Sequence, residues 1–202
     1  MRLGVFGGTF DPPHIGHLVA AQDALGALDL DRVVLVPAAV PPHKLDRPIT
    51  PGRIRLELLR AAVEGDARFE VDDVELRREG PSWTVDTLRA LRECRPGAEL
   101  FLLMGTDQFA ELETWREPDE IRRLASIAVL ARAGAAVPAD ADRTAVDVTR
   151  IDITSTEIRR RVAAGLPIRF LVPEPVEALI RRYGLYGSAA APPPGTGPGK
   201  RG

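Results

Sequence analysis

Thiols are almost absent from this chain of 202 residues, which has a single cysteine, Cys94. One cysteine cannot form an internal disulfide, so the composition favours a reducing compartment, and we expect a cytoplasmic protein. No apolar run in the sequence approaches the roughly 18 residues that a membrane helix requires, so we expect neither a membrane partner nor a secretory signal. A basic excess is also missing, since the formal net charge is −2. Proteins that bind nucleic acid usually need such an excess, and we therefore expect no nucleic-acid partner.

Histidine and lysine are scarce, and their positions are informative. The chain has three histidines, and they fall in two short segments that each follow an apolar run: His14 and His17 in the first, His43 in the second. Lys44, next to His43, is accompanied by only one other lysine, Lys200. Imidazoles placed where strands end and helices begin are positioned to bind anions. The arrangement indicates a site for nucleotide phosphates.

Short apolar segments alternate with amphipathic segments along most of the chain. Most of the apolar segments are continuous runs, which is typical of strands that are covered on both faces. This alternation predicts an α/β fold built on a doubly wound parallel sheet. The predicted strands cover residues 2–6, 32–36, 69–71, 99–104, 126–131 and 147–151.

Capping patterns in the sequence predict where several helices begin or end. Thr50 followed by Pro51 has the pattern of an N-cap and a proline at the first helical position. The string Thr154-Ser155-Thr156-Glu157 has the spacing of a capping box, and it predicts a helix that ends near Gly165. The predicted helices run from about residue 15 to 28, from residue 51, from near residue 82, from residue 155 to about 165, and from residue 173 to 183.

The composition also predicts the domain organisation. We expect a single domain over residues 1–187, with a small helical C-terminal part from about residue 154. Residues 188–202 are rich in alanine, proline and glycine and offer no apolar anchor. A segment of this kind cannot bury enough apolar surface to fold, so we expect a disordered tail.

The first predicted strand continues into the string GGTFDPPHIGH, residues 7–17. Gly7 and Gly8 carry no Cβ, so a ligand can approach their backbone amides closely. His14 and His17 are three residues apart at a helix start and project from the same face. The positive end of the helix lowers the pKa of the imidazoles there and leaves N–H donors for phosphate oxygens.

This string resembles the signature of the nucleotidyltransferase superfamily, whose His-x-Gly-His phosphate motif also occurs in class I aminoacyl-tRNA synthetases. The chain is too short for a tRNA-binding body and lacks a Lys-Met-Ser-Lys-Ser loop, which argues against a synthetase. Further motifs follow in the order of one branch, the bacterial nicotinic acid mononucleotide adenylyltransferases. They are PPHK at 41–44, PSWTVDTL at 81–88, MGTD at 104–107, TW at 114–115 and ITSTEIR at 153–159, and the similarity covers about residues 1–186.

The resemblance implies a Rossmann-like nucleotidyltransferase fold and an enzyme of NAD biosynthesis. Such an enzyme transfers the AMP moiety of ATP to nicotinic acid mononucleotide and releases deamido-NAD and pyrophosphate. The catalytic residues that it implies are His14, His17 and Lys44. The implied ATP-binding residues are Gly7, Gly8, Thr9, Phe10, His14, His17, Gly105, Ser155, Thr156 and Arg159. The implied mononucleotide-binding residues are Lys44, Ser82, Trp83, Thr84, Asp107 and Trp115.

The expected cofactor is Mg²⁺, which enters with ATP as co-substrate. The sequence offers no dense carboxylate cluster, so we expect the ion to be held by ATP phosphates and not by protein ligands. The acceptor phosphate is already anionic at neutral pH, and no protein base is needed to activate it.

Two other readings of the sequence stay open. The acceptor could instead be nicotinamide mononucleotide, because the acid and amide rings stack equally well. Phosphopantetheine is another alternative, although the segments around Trp83-Thr84 and Trp115 argue against it. A nucleotide sensor without catalysis is the other reading, although the phosphate-site residues of an enzyme are all present. The residues also leave self-association into a homo-oligomer open.

Overall fold

The computed structural model describes residues 1–39, 49–132 and 143–187. Strands and helices alternate through these residues. The strands are β1 (Arg2–Gly8), β2 (Arg32–Pro37), β3 (Phe69–Val71), β4 (Glu99–Gly105), β5 (Ser126–Arg132) and β6 (Arg143–Val148). The α-helices are α1 (Ile15–Ala27), α2 (Gly52–Ala62), α3 (Thr84–Cys94), α4 (Thr106–Ala110), α5 (Pro118–Leu124), α6 (Ser155–Ala163) and α7 (Glu174–Arg182), with a 3₁₀ turn at Leu112–Thr114.

The strands form one sheet in the order β3-β2-β1-β4-β5-β6, and every neighbouring pair is parallel. The chain leaves β1 toward β2 and β3, then returns to place β4 on the other side of β1. This reversal of strand order opens a crevice at the carboxyl ends of β1 and β4, where ligands bind in sheets of this kind. The predicted doubly wound parallel sheet is confirmed.

Apolar layers cover both faces of the sheet. On β4, Leu100 and Leu102 belong to the layer that holds α3 and α5, while Phe101 and Leu103 belong to the layer that holds α1. Successive residues of a strand point to opposite faces, so a strand between two layers must be apolar at nearly every position. The continuous apolar runs that predicted β1, β2, β4 and β5 follow from this burial.

A smaller apolar cluster joins the C-terminal helices to α2. Its buried members are Leu58, Ile158, Ile168, Val172, Val176 and Ile180. Helix α6 begins as the capping box predicts, because the Thr154 hydroxyl accepts a hydrogen bond from the Glu157 N–H at 3.1 Å. Gly165, with a φ of +67°, follows the end of this helix. The C-terminal helical part therefore packs on α2 and not on the sheet.

Two boundaries predicted from the sequence are wrong. The last strand covers residues 143–148 and not 147–151. As an edge strand it buries only alternate side chains, Val146 and Val148, so it has no continuous apolar run to mark it. Helix α2 begins at Gly52 with Pro51 as its N-cap, because the Thr50 hydroxyl donates to the Tyr186 hydroxyl at 3.4 Å instead of capping the helix.

Two other sequence predictions concern the tail and the membrane. The predicted disordered tail, residues 188–202, lies outside the described residues. In the described ranges, every helix is too short or too polar to cross a bilayer.

A buried arginine fixes the loops around the crevice. Arg55 of α2 is 1 % exposed, and it donates to the carbonyl oxygens of Thr50 at 2.8 Å, Thr9 at 2.8 Å and Ala38 at 2.6 Å. Burial lowers the pKa of this guanidinium, and the Asp11 carboxylate is the main group that opposes the shift. An arginine remains charged even so. One side chain therefore joins the loop after β1, the loop after β2 and the start of α2.

Replacing Arg55 with methionine removes the donor to four carbonyl groups, those of Thr50, Thr9, Ala38 and Ala39. Buried acceptors that lose a charged donor are costly, so we expect the Arg55→Met variant to lose about 2 to 4 kcal/mol of the free energy of unfolding. Urea titration followed by circular dichroism measures this change. Arg53→Met, at an exposed position of the same helix, is the control and should differ from the parent by less than about 0.5 kcal/mol. Equal losses in the two variants would contradict the role assigned to Arg55.

Candidate functional site

A cavity of about 550 Å³ lies at the carboxyl ends of β1 and β4. Its volume is typical of sites for small molecules, and its place is the crevice that the strand order creates. The wall brings together residues that lie far apart in the sequence. The predicted site residues that line it are Gly7, Gly8, Thr9, Phe10, His14, His17, Ser82, Trp83, Thr84, Gly105 and Trp115.

The loop between β1 and α1, residues 9–14, forms one side of the cavity. Gly7 and Gly8 are the last residues of β1 and not part of this loop. Phe10 adopts a left-handed conformation, with a φ of 47°, and its ring folds back against Phe6 and His17. A Cβ at Gly8 would lie 2.9 Å from the Phe10 ring. Gly8 is therefore needed for the fold of the loop itself, in addition to any approach of a ligand.

His14 and His17 stack at the start of α1. Their ring centroids are 3.6 Å apart, and the His14 backbone N–H donates to Nδ1 of His17 at 3.2 Å. Because this ring nitrogen accepts a hydrogen bond, Nε2 is the nitrogen of His17 that can donate one. Gly16 makes room for the pair, because a Cβ there would lie 3.1 Å from Nδ1 of His14. The glycine in His-x-Gly-His thus has a steric reason.

His14 is buried, with 6 % of its surface exposed. Burial lowers its pKa from 6.5 to about 4, so the ring is neutral at neutral pH. The sequence predicts this direction from the helix end, but the cause that the structure gives is desolvation. Nδ1 of His14 is buried and has no hydrogen-bond partner among the described residues. The pair therefore brings the neutral ring of His14 and Nε2 of His17 to the wall of the cavity.

The start of α6 lies against the same loop. Ser155 donates to the carbonyl oxygen of Pro12 at 2.9 Å, and Arg159 donates to the carbonyl oxygen of Asp11 at 2.7 Å and to the Thr156 hydroxyl at 3.0 Å. These three predicted ATP-binding residues are brought next to the loop, but they do not line the cavity. Ile151 and Ile153, just before the helix, do line it.

The opposite side of the cavity comes from the entry segment of α3, residues 82–84, and from the turn after the 3₁₀ helix. Trp83 is the N-cap residue of α3, and the Arg116 guanidinium lies 5.8 Å from the centroid of its ring. Trp115 is half-buried, and its indole N–H has no hydrogen-bond partner within the described ranges. On this side, the two indole rings offer flat aromatic surface, and the main chain at the start of α3 offers backbone N–H groups.

Three further predicted residues need separate mention. Gly105 lines the cavity, and its backbone N–H donates to the Gln108 side chain at 3.1 Å. Asp107 is exposed and does not belong to the wall. Lys44, together with His43, lies outside the described residues.

Sequence reasoning missed several buried polar residues of the site. Glu75 and Thr87 line the cavity, and the Thr87 hydroxyl donates to the Glu75 carboxylate at 2.7 Å. Asp11 is buried and accepts a hydrogen bond from the Tyr186 hydroxyl at 2.7 Å. Burial is the main cause that raises the pKa of Tyr186. No local pattern marks these residues, because their partners are distant in the sequence.

Acidic side chains in the cavity wall are few. Glu75 is the one carboxylate among the described residues that line it. The described part of the chain also holds no group of three or more histidine, cysteine, aspartate or glutamate side chains that could bind a metal ion.

Comparison with known proteins agrees with this architecture. The cytidylyltransferase-like family model matches residues 5–161. A protein of Thermomicrobium roseum named "Probable nicotinate-nucleotide adenylyltransferase" is 47 % identical over 94 % of both chains. A protein of Thermus thermophilus with the same name is 45 % identical over 92 % of this chain and all of its own length.

A solved structure is similar in fold. The Plasmodium falciparum nicotinic acid mononucleotide adenylyltransferase, in complex with NaAD, superposes with a TM-score of 0.74 and 16 % identity over 92 % of this chain and 97 % of that one. Family model and curated relatives cover most of the chain at high identity. The chain therefore belongs to the cytidylyltransferase-like family and, within it, to the nicotinate-nucleotide adenylyltransferases.

Proposed function

We propose that this enzyme transfers the AMP moiety of ATP to nicotinic acid mononucleotide, giving deamido-NAD and pyrophosphate, as a step of NAD biosynthesis. The proposal assigns residues 1–187 to one nucleotidyltransferase domain. The observation that carries it is the pair of stacked imidazoles at the crevice between β1 and β4, facing a side that carries Trp83 and Trp115. The names of the curated relatives support the same reaction.

The triphosphate of ATP would lie over the start of α1. The backbone N–H groups of a helix start attract anions, and Gly7 leaves open space beside the cavity, since no atom lies within 4 Å of a Cβ built on it. Nδ1 of His17 already accepts a hydrogen bond, so its Nε2 would be the donor to a phosphate oxygen. We assign His14 and His17 to the α- and β-phosphates, with Thr9, Phe10 and Gly105 completing the ATP side.

The acceptor phosphate attacks the α-phosphorus in line, and pyrophosphate leaves. Because the attacking oxygen is already anionic, the protein needs to position the two substrates and to stabilise the charge on the leaving group. We assign the stabilisation of the charge on pyrophosphate to Lys44 and to the start of α6. There, the hydrogen bonds of Ser155, Thr156 and Arg159 hold the loop after β1. For these three to touch ATP, some of those bonds would have to be exchanged.

Mg²⁺ is the proposed cofactor. Bound to ATP oxygens, it would neutralise charge on the transferred and leaving groups. The wall fits an ion that enters with its nucleotide, because Glu75 is the one carboxylate on the described part of the wall and Thr87 already donates to it.

The pyridine ring would lie on the opposite side of the cavity. Trp115 offers a face for stacking, and the N–H groups of the α3 entry segment, residues 82–84, offer donors to the pyridine carboxylate. The same region binds the mononucleotide in our assignment through Ser82, Trp83 and Thr84. We assign Asp107 to the rim of this half, since it is exposed at the start of α4.

A panel of acceptors tests the function directly. Purified enzyme receives ATP, Mg²⁺ and either nicotinic acid mononucleotide, nicotinamide mononucleotide or phosphopantetheine, and pyrophosphate release is measured. The proposal requires the highest kcat/KM with the acid mononucleotide. A higher value with another acceptor would reassign the substrate. Tight ATP binding without turnover of any acceptor would favour a nucleotide sensor.

We expect His17→Ala to lower kcat by about two orders of magnitude or more, because it removes a donor to the charge that develops in the transition state. Steady-state kinetics with saturating substrates measures the change. Gln22→Ala, at an exposed position of the same helix, is the control and should keep the parental kcat. Parental kcat in the His17 variant would remove this residue from the mechanism.

We expect Trp115→Ala to raise KM for nicotinic acid mononucleotide by about tenfold, the scale of a lost aromatic stacking contact, and to leave KM for ATP nearly unchanged. Trp115→Phe keeps a ring and should lie close to the parent. If both KM values rose equally in the alanine variant, the assignment of Trp115 to the acceptor half would be wrong.

The buried neutral state of His14 predicts how stability depends on pH. Its pKa is about 4 in the folded protein against 6.5 as the ordinary value. Between these values the unfolded state binds the proton and the folded state does not, so the free energy of unfolding falls as the pH falls. From pH 7 to pH 4 this group alone contributes a loss of about 3 kcal/mol.

Urea titrations of the parent and of His14→Gln at several pH values isolate this contribution. Glutamine does not titrate, so the difference between the two proteins should change across the window from pH 6.5 to 4. A difference that stays constant with pH would show that His14 binds its proton at the same pH in the folded and the unfolded protein, and would contradict the lowered pKa.

A further inference from the structure

Glu75 is a buried acid in the wall of the cavity that the proposed reaction does not use. It lies between β3 and α3 and is 7 % exposed. Burial of a carboxylate is costly unless hydrogen bonds or a nearby cation stabilise its charge. Such a group needs a structural or functional reason to be there.

A short chain of polar groups leads from the surface to this carboxylate. The Arg78 guanidinium donates to the Thr87 hydroxyl at 2.8 Å, and that hydroxyl donates to Oε1 of Glu75 at 2.7 Å. Burial is the largest cause acting on the pKa of Glu75 and raises it. The hydroxyl groups of Ser82 and Thr87, and then the charge of Arg78, oppose that shift. The Thr87 hydroxyl on α3 therefore holds Oε1 of Glu75, while Oε2 is buried without a hydrogen-bond partner among the described residues.

The same groups connect two sides of the cavity. The Ser82 hydroxyl accepts a hydrogen bond from the Ala39 backbone N–H at 2.8 Å. Ala39 lies in the loop after β2, where Arg55 holds the carbonyl oxygen of Ala38 at 2.6 Å. Glu75 thus stands where the loop after β2, the α3 entry segment and the first turns of α3 meet.

Direct contact between Glu75 and the acceptor would be unfavourable. The pyridine carboxylate of the proposed substrate is an anion, and a second carboxylate beside it would oppose binding. The indirect route has no such cost. By holding Thr87, whose hydroxyl also lies 3.3 Å from the Trp83 carbonyl oxygen, Glu75 would determine where the N–H groups of the α3 entry segment point.

We propose that Glu75 is a positioning residue for the acceptor half of the cavity, acting through Thr87. The inference rests on the proposed function, because it takes the α3 entry segment as the site of the pyridine carboxylate. It adds a residue that touches neither substrate and yet sets the affinity for one of them.

The test is the split between the two KM values in Glu75→Gln. Glutamine keeps the shape of the side chain and removes its charge, so the Thr87 hydroxyl loses a charged acceptor. We expect KM for nicotinic acid mononucleotide to rise by about tenfold, while KM for ATP changes by less than about twofold. Glu79→Gln, an exposed acid of the same segment, is the control and should behave as the parent.

A second pair of variants separates positioning from folding. Thr87→Val removes the linking hydroxyl and should raise the same KM, while Thr87→Ser keeps the hydroxyl and should restore it. The double variant Glu75→Gln/Thr87→Val should be no worse than either single variant, because the two changes break one path. A lower melting temperature with both KM values at the parental level, or equal rises in both KM values, would overturn the proposal.

Turnover of nicotinic acid mononucleotide by the parent protein tests the proposed function separately. If the parent does not turn over nicotinic acid mononucleotide, the proposed function fails. The same variants are then compared with the acceptor that the panel selects. A KM for that acceptor that stays unchanged in Glu75→Gln and Thr87→Val would reject the positioning role as well.

Discussion

The reversal of strand order beside β1 is the constraint on which the rest of the structure depends. Because β2 and β4 pair with β1 on opposite edges, the connections that follow β1 and β4 diverge at their carboxyl ends. In the part of the chain that the structure describes, the cavity lies between these connections. The imidazole pair, the loop after β1 and the entry to α3 all reach the cavity because they follow strands that end at this edge.

Several polar side chains are buried near the carboxyl-terminal edge of the sheet, among residues that are otherwise apolar. Arg55, Asp11 and Glu75 are all buried, and each is held by hydrogen bonds to backbone or hydroxyl groups. Buried charges of this kind do not stabilise a fold by themselves, since their desolvation offsets much of their attraction. They do restrict the loops to one arrangement. Loops that must present donors at fixed positions benefit from that restriction.

Much of the fold could be predicted from the sequence, because strands that are buried on both faces have continuous apolar runs. Strands β1, β2, β4 and β5 follow this rule, and the histidine string shows where β1 ends. The edge strand β6 does not follow it, since one of its faces is open and its pattern alternates. At the site, the local string predicts that the histidines line the cavity. It does not predict Glu75 or Arg55, whose partners lie on other segments of the chain.

The contact between Asp11 and Tyr186 joins residues 175 positions apart. Its consequence concerns the order in which a nascent chain acquires its structure. The loop after β1 is synthesised early. The Tyr186 hydroxyl, which donates to the Asp11 carboxylate, is synthesised only when nearly all of the described chain has been made. Until then the buried carboxylate lacks this donor. The nucleotide crevice is thus among the earliest parts of the protein to be translated and among the last to be completed.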